Sequence, residues 1–346
     1  MSSFPFLSLL QANKKPKEWY RFFIVLVCLV IIFVVILNIA INPYKTFSHQ
    51  HLLNQKTADT YSDRITHFYL SKHLKPQVIM MGTSRIGLYP SEYLLKYIDK
   101  KIYNSALAGS SIEEQSAYLT YYIQHFNLTH IVWSLDFFSF NPDKKPYPDF
   151  STKRLEESFY LPDYAEATFN FKTSLISLKT IYANIGQIAT TVEKDQPFSD
   201  KQIQKNIEAT LKQYKEGEMF LNSQNFLNPS SIDANLNRIK EVAQLCQKNG
   251  IELILYISPV HESHLEMIES SGLGETYSYM KQHLSFVHPY YDFGTKNTIT
   301  QNFLNFRDSS HTVKSIGKLI FERILDKNLT TQDSDFGIYR KLSNDT

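Results

Sequence analysis

The sequence predicts an α/β protein: a three-layer α/β/α domain with a mostly parallel sheet, interrupted by a helical insertion and preceded by one transmembrane helix. Three observations carry that prediction. Short apolar runs at 77–81, 131–135 and 251–257 alternate with longer segments of helical periodicity, the pattern of buried parallel strands joined by crossover helices. The rhythm stops after Asn141 and resumes near Ile232. A nearly unbroken apolar run at 22–41 is long enough to cross a bilayer as a helix.

At 346 residues and 43% hydrophobic content, the chain can supply an anchor and one large core. The formal net charge is +2 and no long basic run occurs, which argues against nucleic acid as the main partner. Of the two cysteines, Cys28 falls in the apolar run and Cys246 in a predicted helix. Neither a disulfide framework nor a cysteine zinc site follows from them.

In chain order, residues 1–21 are polar and basic, with Lys14, Lys15, Lys17 and Arg21 ahead of an apolar run that only Asn38 interrupts. Trp19, Tyr20 and Tyr44 suit the two membrane interfaces, and the positive-inside rule places the N-terminus in the cytoplasm. The expected location is therefore the inner (plasma) membrane, single-pass, with the domain extracytoplasmic. The alternative of a cleaved signal peptide fits less well, because Asn38-Ile39-Ala40 is a poor cleavage site. Val27 disfavours lipid attachment at Cys28. Residues 42–76 hold a linker and an amphipathic helix with Tyr61, Ile65 and Phe68 on one face, ending before Pro76.

The domain itself is expected at 77–141 and 231–327, with about five strands. These are 77–81, 101–103, 131–135, 251–257 and 286–293, the last interrupted by Pro289. Helices are expected at 112–126, 232–248, 263–285 (broken near Gly272 and Gly274) and 313–325. Ser91 is expected to cap a helix starting near Glu92, and Gly250 to end the helix at 232–248. Residues 142–230 open with a Pro-, Asp- and Lys-rich loop and then show helical stretches, which predicts a helical cap over the ligand edge of the sheet. The tail at 328–346 has the polar composition of a disordered segment.

Two blocks carry chemistry. Ser84, in Gly82-Thr83-Ser84-Arg85, follows the first strand, at the edge where open α/β sheets bind ligands. Asp308-Ser309-Ser310-His311 stands just ahead of the last helix. A serine is inert until a base takes its proton; His311 can do so and later return the proton to the leaving oxygen. Asp308 can bind the other ring nitrogen and fix the tautomer. Backbone N–H groups near Ser84 and at Gly109 are the natural oxyanion donors. The plain alternative is a loop serine and a solvated histidine that never meet. His261 follows a strand and Pro259, and either faces the same pocket or is bonded locally. His261 and His264 flank Glu262 and Ser263, but no further ligand has metal-site spacing, so no metal is expected. There is no phosphate-binding glycine loop or dinucleotide fingerprint, and no cofactor is expected. The Tyr and Phe excess at 118–171 is expected to serve packing, with sugar stacking as a second role.

The strand–Gly-Thr-Ser-Arg block, Asn104-Ser105-Ala106-Leu107-Ala108-Gly109 and the C-terminal Asp308–His311 block together resemble the SGNH hydrolase superfamily. The similarity is greatest to membrane-anchored extracytoplasmic members that move acyl groups on cell-envelope polymers, such as the D-alanine transfer protein of teichoic acid synthesis and the alginate acetylation proteins. It covers residues 77–136 and 232–325 and leaves out the insertion. The resemblance implies an acyl-Ser84 intermediate, resolved by water in an esterase or by a sugar hydroxyl in an O-acyltransferase. It also implies a glycan or polymer acceptor and a membrane acyl-donor protein as partners. There is one departure. The superfamily supplies a third oxyanion donor from an asparagine after the third strand, whereas this chain reads Ser134-Leu135-Asp136-Phe137. A carboxylate repels an oxyanion. Asp136 is therefore expected to pair with Arg85 or bind a substrate hydroxyl, with Asn104 or Asn141 as stand-in donors. Arg85 either makes that pair or binds an anionic substrate group. The departure keeps a non-catalytic scaffold subunit as the rival reading. A general membrane lipase is third, disfavoured by the mixed, polar insertion.

Overall fold

The computed structural model describes residues 16–48, 63–157, 159–185, 198–217, 222–326 and 335–343. Lys14, Lys15, Tyr61 and much of the tail lie outside them. In chain order the elements are α1 (Pro16–Ile41), α2 (Asp63–Leu74), β1 (Val78–Met81), α3 (Ser84–Gly87), α4 (Glu92–Leu95), β2 (Ile102–Asn104), α5 (Ile112–His125) and β3 (His130–Leu135). Then follow α6 (Thr152–Glu156), α7 (Leu161–Phe169), α8 (Phe171–Ile185), α9 (Asp200–Glu216), α10 (Asp233–Lys248) and β4 (Glu252–Ile257). The chain closes with α11 (Glu262–Ser270), α12 (Gly274–Val287), β5 (Tyr290–Asp292), α13 (Lys314–Leu325) and β6 (Ile338–Arg340). They form two compact units: Met1–Tyr61 with Tyr160–Val192, and Ser62–Phe159 with Glu193–Thr346.

The larger unit is built on a six-stranded sheet in the order β2-β1-β3-β4-β5-β6. All neighbouring pairs are parallel except β5–β6. The register runs Val78↔His130 and His130↔Glu252, so β1, β3 and β4 start at the same level, and β3 and β4 run two residues past the end of β1. The central strands are apolar on both faces because helices cover both. On one face Val78, Met80, Val132, Ile254 and Tyr256 pack with Ile316, Ile320 and Phe321 of α13. On the other, the Trp133 indole N–H donates to Gln115 Oε1 of α5, and α10 packs beside α5. Each large side chain buried this way contributes about 1.5–3 kcal/mol. Capping sets the helix ends. Ser111 and Glu114 form a capping box at α5, and Glu114, fully buried, also pairs with Arg64. At the end of α10 the N–H groups of Gly250 and Ile251 bond Gln247 O and Cys246 O, the Schellman arrangement.

In the smaller unit, α1 carries a 23-residue candidate span, Trp19–Ile41, whose most apolar 18 residues have a mean hydropathy of 3.5. Among the described residues it is the one helix long and apolar enough to cross a membrane. It stops at Asn42, which takes φ +50 and brackets the backbone of Phe47 with both amide atoms. Helices α7 and α8 pack on α1.

The structure corrects several expectations. Residues 142–230 do not form one cap: α7 and α8 join α1, whereas α6 and α9 belong with the sheet. No strand occurs among the described residues of that segment. The polar tail contributes β6, a sixth strand on the sheet edge, with Tyr339 against Tyr291 at 5.0 Å between ring centroids. The expected strand at 286–293 is only three residues long. Helix α12 continues to Val287, and extended His288 before Pro289 marks the break. Ser91 caps nothing: Tyr93 and Leu94 N–H already bond the Pro90 and Ser91 carbonyls, so Ser91 lies inside a single helical turn.

Gly82 links β1 to α3 at φ +150, and a Cβ there would sit 2.8 Å from Ser134 O and 2.9 Å from Ile86 Cγ2. Gly82→Ala should therefore cost about 1–3 kcal/mol from overpacking plus backbone strain. Thermal melting should show a midpoint several degrees below that of the parent, about 2–4 °C per kcal/mol for a domain of this size.

Candidate active site

The parallel sheet brings the two chemical blocks to one edge. Ser84 leaves the tip of β1 as the first residue of α3, whose cap is Thr83. The Asp308–His311 loop precedes α13 and is fixed by backbone bonds from Arg307 N to His311 O and from Val313 N to Asn305 O. Ser84 Oγ lies 2.9 Å from His311 Nε2. His311 Nδ1 lies 2.9 Å from Asp308 Oδ2 and 3.1 Å from Oδ1. An ionised carboxylate only accepts, so Nδ1 carries the proton and Nε2 is left to accept from the Ser84 hydroxyl. Burial acts to raise the Asp308 carboxyl. The His311 ring and the backbone N–H groups of Ser310 and His311 outweigh it and hold the carboxyl below its ordinary value. All three side chains remain partly exposed.

Behind them lies a buried polar network. Arg85 Nη1 donates to Asp136 Oδ1 at 2.9 Å, and Thr83 Oγ1 donates to Asp136 Oδ2. Arg85 Nε donates to Ser310 Oγ at 3.0 Å, which also bonds Tyr214 OH at 3.0 Å. Asp136 is fully buried and Arg85 nearly so. Burial works against the Arg85 charge, but Asp136 and Tyr214 outweigh it and raise its pKa. Beside Arg85 lies a cavity of about 10 Å³, bounded by Phe137, Phe138 and His264 among others, enough for about one water. Of its two sequence readings, the Asp136 pair is the one the structure contains.

The other expected substrate contacts are likewise engaged internally. Asn104 donates from Nδ2 to Ile86 O and Tyr89 O and accepts from Ala106 N, so it holds the loop and is not a free oxyanion donor. Asn141 Oδ1 accepts from Asp143 N. His261 caps α11 through Nδ1 and donates its backbone N–H to Ser309 O, which is the local role. His264 is buried, with Nδ1 3.2 Å from Ser309 Oγ; burial, with Arg85 nearby, drives its pKa well down, so it stays neutral. Among the described residues no three His, Cys, Asp or Glu side chains cluster as metal ligands would.

Gly109 sits on the loop after β2, beside β1, at φ +61, where a Cβ would meet Tyr147 OH at 2.6 Å. Among the described residues, neither its N–H nor that of Ser84 has a hydrogen-bond partner. Tyr214 carried no sequence signal, since it lies in the insertion, far from both motifs. Thr83 and Ser310 stood inside the quoted motifs, but nothing in their spacing showed a shared partner.

No protein-family model matches the chain, and a search of curated proteins finds no significant match.

Removing one partner of a buried ion pair leaves an uncompensated charge and costs about 3–5 kcal/mol. Asp136→Asn and Arg85→Ala should each destabilise by that order, and the double variant should lose clearly less than the sum. Denaturant melts of the four proteins measure the coupling; strict additivity would show that the pair contributes nothing jointly.

Proposed function

We propose that the chain is a membrane-anchored serine esterase or O-acyltransferase of SGNH type, acting on an extracytoplasmic glycan or cell-envelope polymer. The observation that carries the reading is the Ser84–His311–Asp308 relay, with a 2.9 Å contact at each joint. The three sequence blocks that resemble the superfamily support it, as does an N-terminal helix suited to anchoring.

In this mechanism His311 Nε2 takes the Ser84 proton as Oγ attacks an ester carbonyl. The tetrahedral oxyanion accepts from the backbone N–H groups of Ser84 and Gly109. Collapse expels the alkoxide, which takes the proton from His311 Nε2 and leaves acyl-Ser84. Asp308 holds the ring tautomer and stabilises the imidazolium that forms. In the second half, water or a sugar hydroxyl attacks the acyl group, its proton passes through His311, and Ser84 is regenerated. Basic residues ahead of the apolar run favour a cytoplasmic N-terminus, and with it a site on the outer side.

A second reading has its own observation. Asp136 occupies the place of the expected third oxyanion donor and is consumed by Arg85 and Thr83. That favours a non-catalytic SGNH-like scaffold of an envelope-modifying complex.

A serine-directed fluorophosphonate separates the two. Applied to the purified full chain in detergent, it should add one adduct, on Ser84. Ser84→Ala should abolish it, and His311→Ala should slow it by about 10²–10⁴-fold. A folded protein that takes no adduct would support the scaffold.

A further inference from the structure

Asn38 is the one polar residue within the apolar run of α1, and catalysis gives it no role. It is fully buried. Its Nδ2 donates to Thr168 O at 2.9 Å and to Ser174 Oγ at 3.0 Å, and its Oδ1 accepts from Ser177 Oγ at 2.9 Å. Both partner helices, α7 and α8, come from the insertion, so an amide inside the apolar helix is what receives them.

Helix α8 is inside-out by the standard of a water-soluble helix. Its packed face is small and polar: Thr173, Ser174, Ser177 and Thr180 are buried, with only Ile176 as a large apolar residue among them. The hydroxyls of Thr173, Ser174 and Thr180 bond backbone carbonyls one or two turns back. The opposite face, Phe171, Leu175, Leu178 and Tyr182, is exposed at 76, 43, 51 and 69%. These residues follow helical spacing and form one continuous stripe. Small hydroxylated residues inside and large apolar residues outside is how helices pack when their surroundings are lipid.

We propose that α7 and α8 form a hairpin seated in one leaflet of the bilayer, with the stripe on α8 facing lipid. Two features favour lipid as the occupant over a protein partner. First, shielding of α1 begins at Val34, seven residues inside the end of the apolar run at Ile41, about 10 Å along the axis. The hairpin therefore packs against a part of α1 that is itself at membrane depth. Second, α8 has 15 residues and spans about 22 Å, too short for a hydrocarbon core of about 30 Å but suited to one leaflet and its interface.

The test uses the full chain in vesicles of phosphatidylcholine and phosphatidylglycerol, with Cys28→Ser to remove the exposed thiol. Cys246 is buried, burial pushes its thiol up to about 12, and it stays unlabelled. Nitroxide labels are placed singly through Ile32→Cys, Leu178→Cys and Lys212→Cys, all exposed positions. Relaxation by oxygen, which partitions into lipid, is compared with relaxation by a water-soluble nickel chelate. The Leu178 label should favour oxygen, as the Ile32 label in α1 does, whereas the Lys212 label favours nickel. A nickel preference at Leu178 beside an oxygen preference at Ile32 would overturn the hairpin and leave the anchor standing. Shielding of Leu178 from both reagents would overturn it in favour of a protein occupant. The inference rests on the membrane-anchor reading, and a nickel preference at Ile32 would sink both.

Discussion

Everything at the candidate site depends on one buried carboxylate, Asp136, and on how its charge is met. Both of its oxygens are used, one by Arg85 and the other by Thr83. These two residues flank Ser84, so the nucleophile candidate is held from both sides by one group. The same guanidinium reaches Ser310, next to His311, while Thr312 on the other side of His311 bonds Tyr89 OH at 2.6 Å. The serine and the histidine are each clamped through their chain neighbours. Taking two charges out of water costs several kcal/mol per ion, and even good geometry often returns no net stability. The arrangement is better explained by position: it fixes two loops, 227 residues apart in the chain, within one hydrogen bond of each other.

Much of this was legible in the sequence because a parallel sheet converts strand order into a shared edge. A serine after the first strand and a D-x-x-H before the last helix must meet near that edge if the intervening segments are crossovers. The ion pair was legible for a similar reason: a carboxylate after an apolar third strand needs a cation, and Arg85 stands in the turn that follows the adjacent strand. What escaped is equally physical. β6 is three residues of half-polar composition, below the length at which alternation carries a signal. Asn104 looked like a donor by type, and only the fold shows its amide already bonded on both sides. Tyr214 reaches Ser310 from α9, a contact that only tertiary packing sets. Composition marks no boundary inside the insertion, whereas the inverted polarity of α8 goes with its packing on α1.

The Asp136 arrangement also limits the proposed chemistry. With the Asn104 amide hydrogens spent on Ile86 O and Tyr89 O, oxyanion stabilisation would rest on the two backbone donors at Ser84 and Gly109. One oxyanion donor is worth about 2.7–4 kcal/mol of transition-state stabilisation in a well-studied protease. A site lacking the third donor should turn over more slowly on simple esters, unless its natural substrate brings a donor of its own. Sugar hydroxyls beside the scissile ester would be such donors, which is consistent with a glycan acceptor.

The most direct measurement of the central claim separates positioning from stability. In a double variant, Arg85→Met with Asp136→Leu, the buried pair is replaced by apolar groups of similar size, a change that often leaves stability intact. The rate of fluorophosphonate addition to Ser84 is then compared with that of the parent. If the pair positions Ser84 against His311, the variant should melt like the parent and react on the order of 100-fold more slowly, the cost of about 1 Å of misplacement. A variant that folds and labels Ser84 at the parental rate would contradict the account.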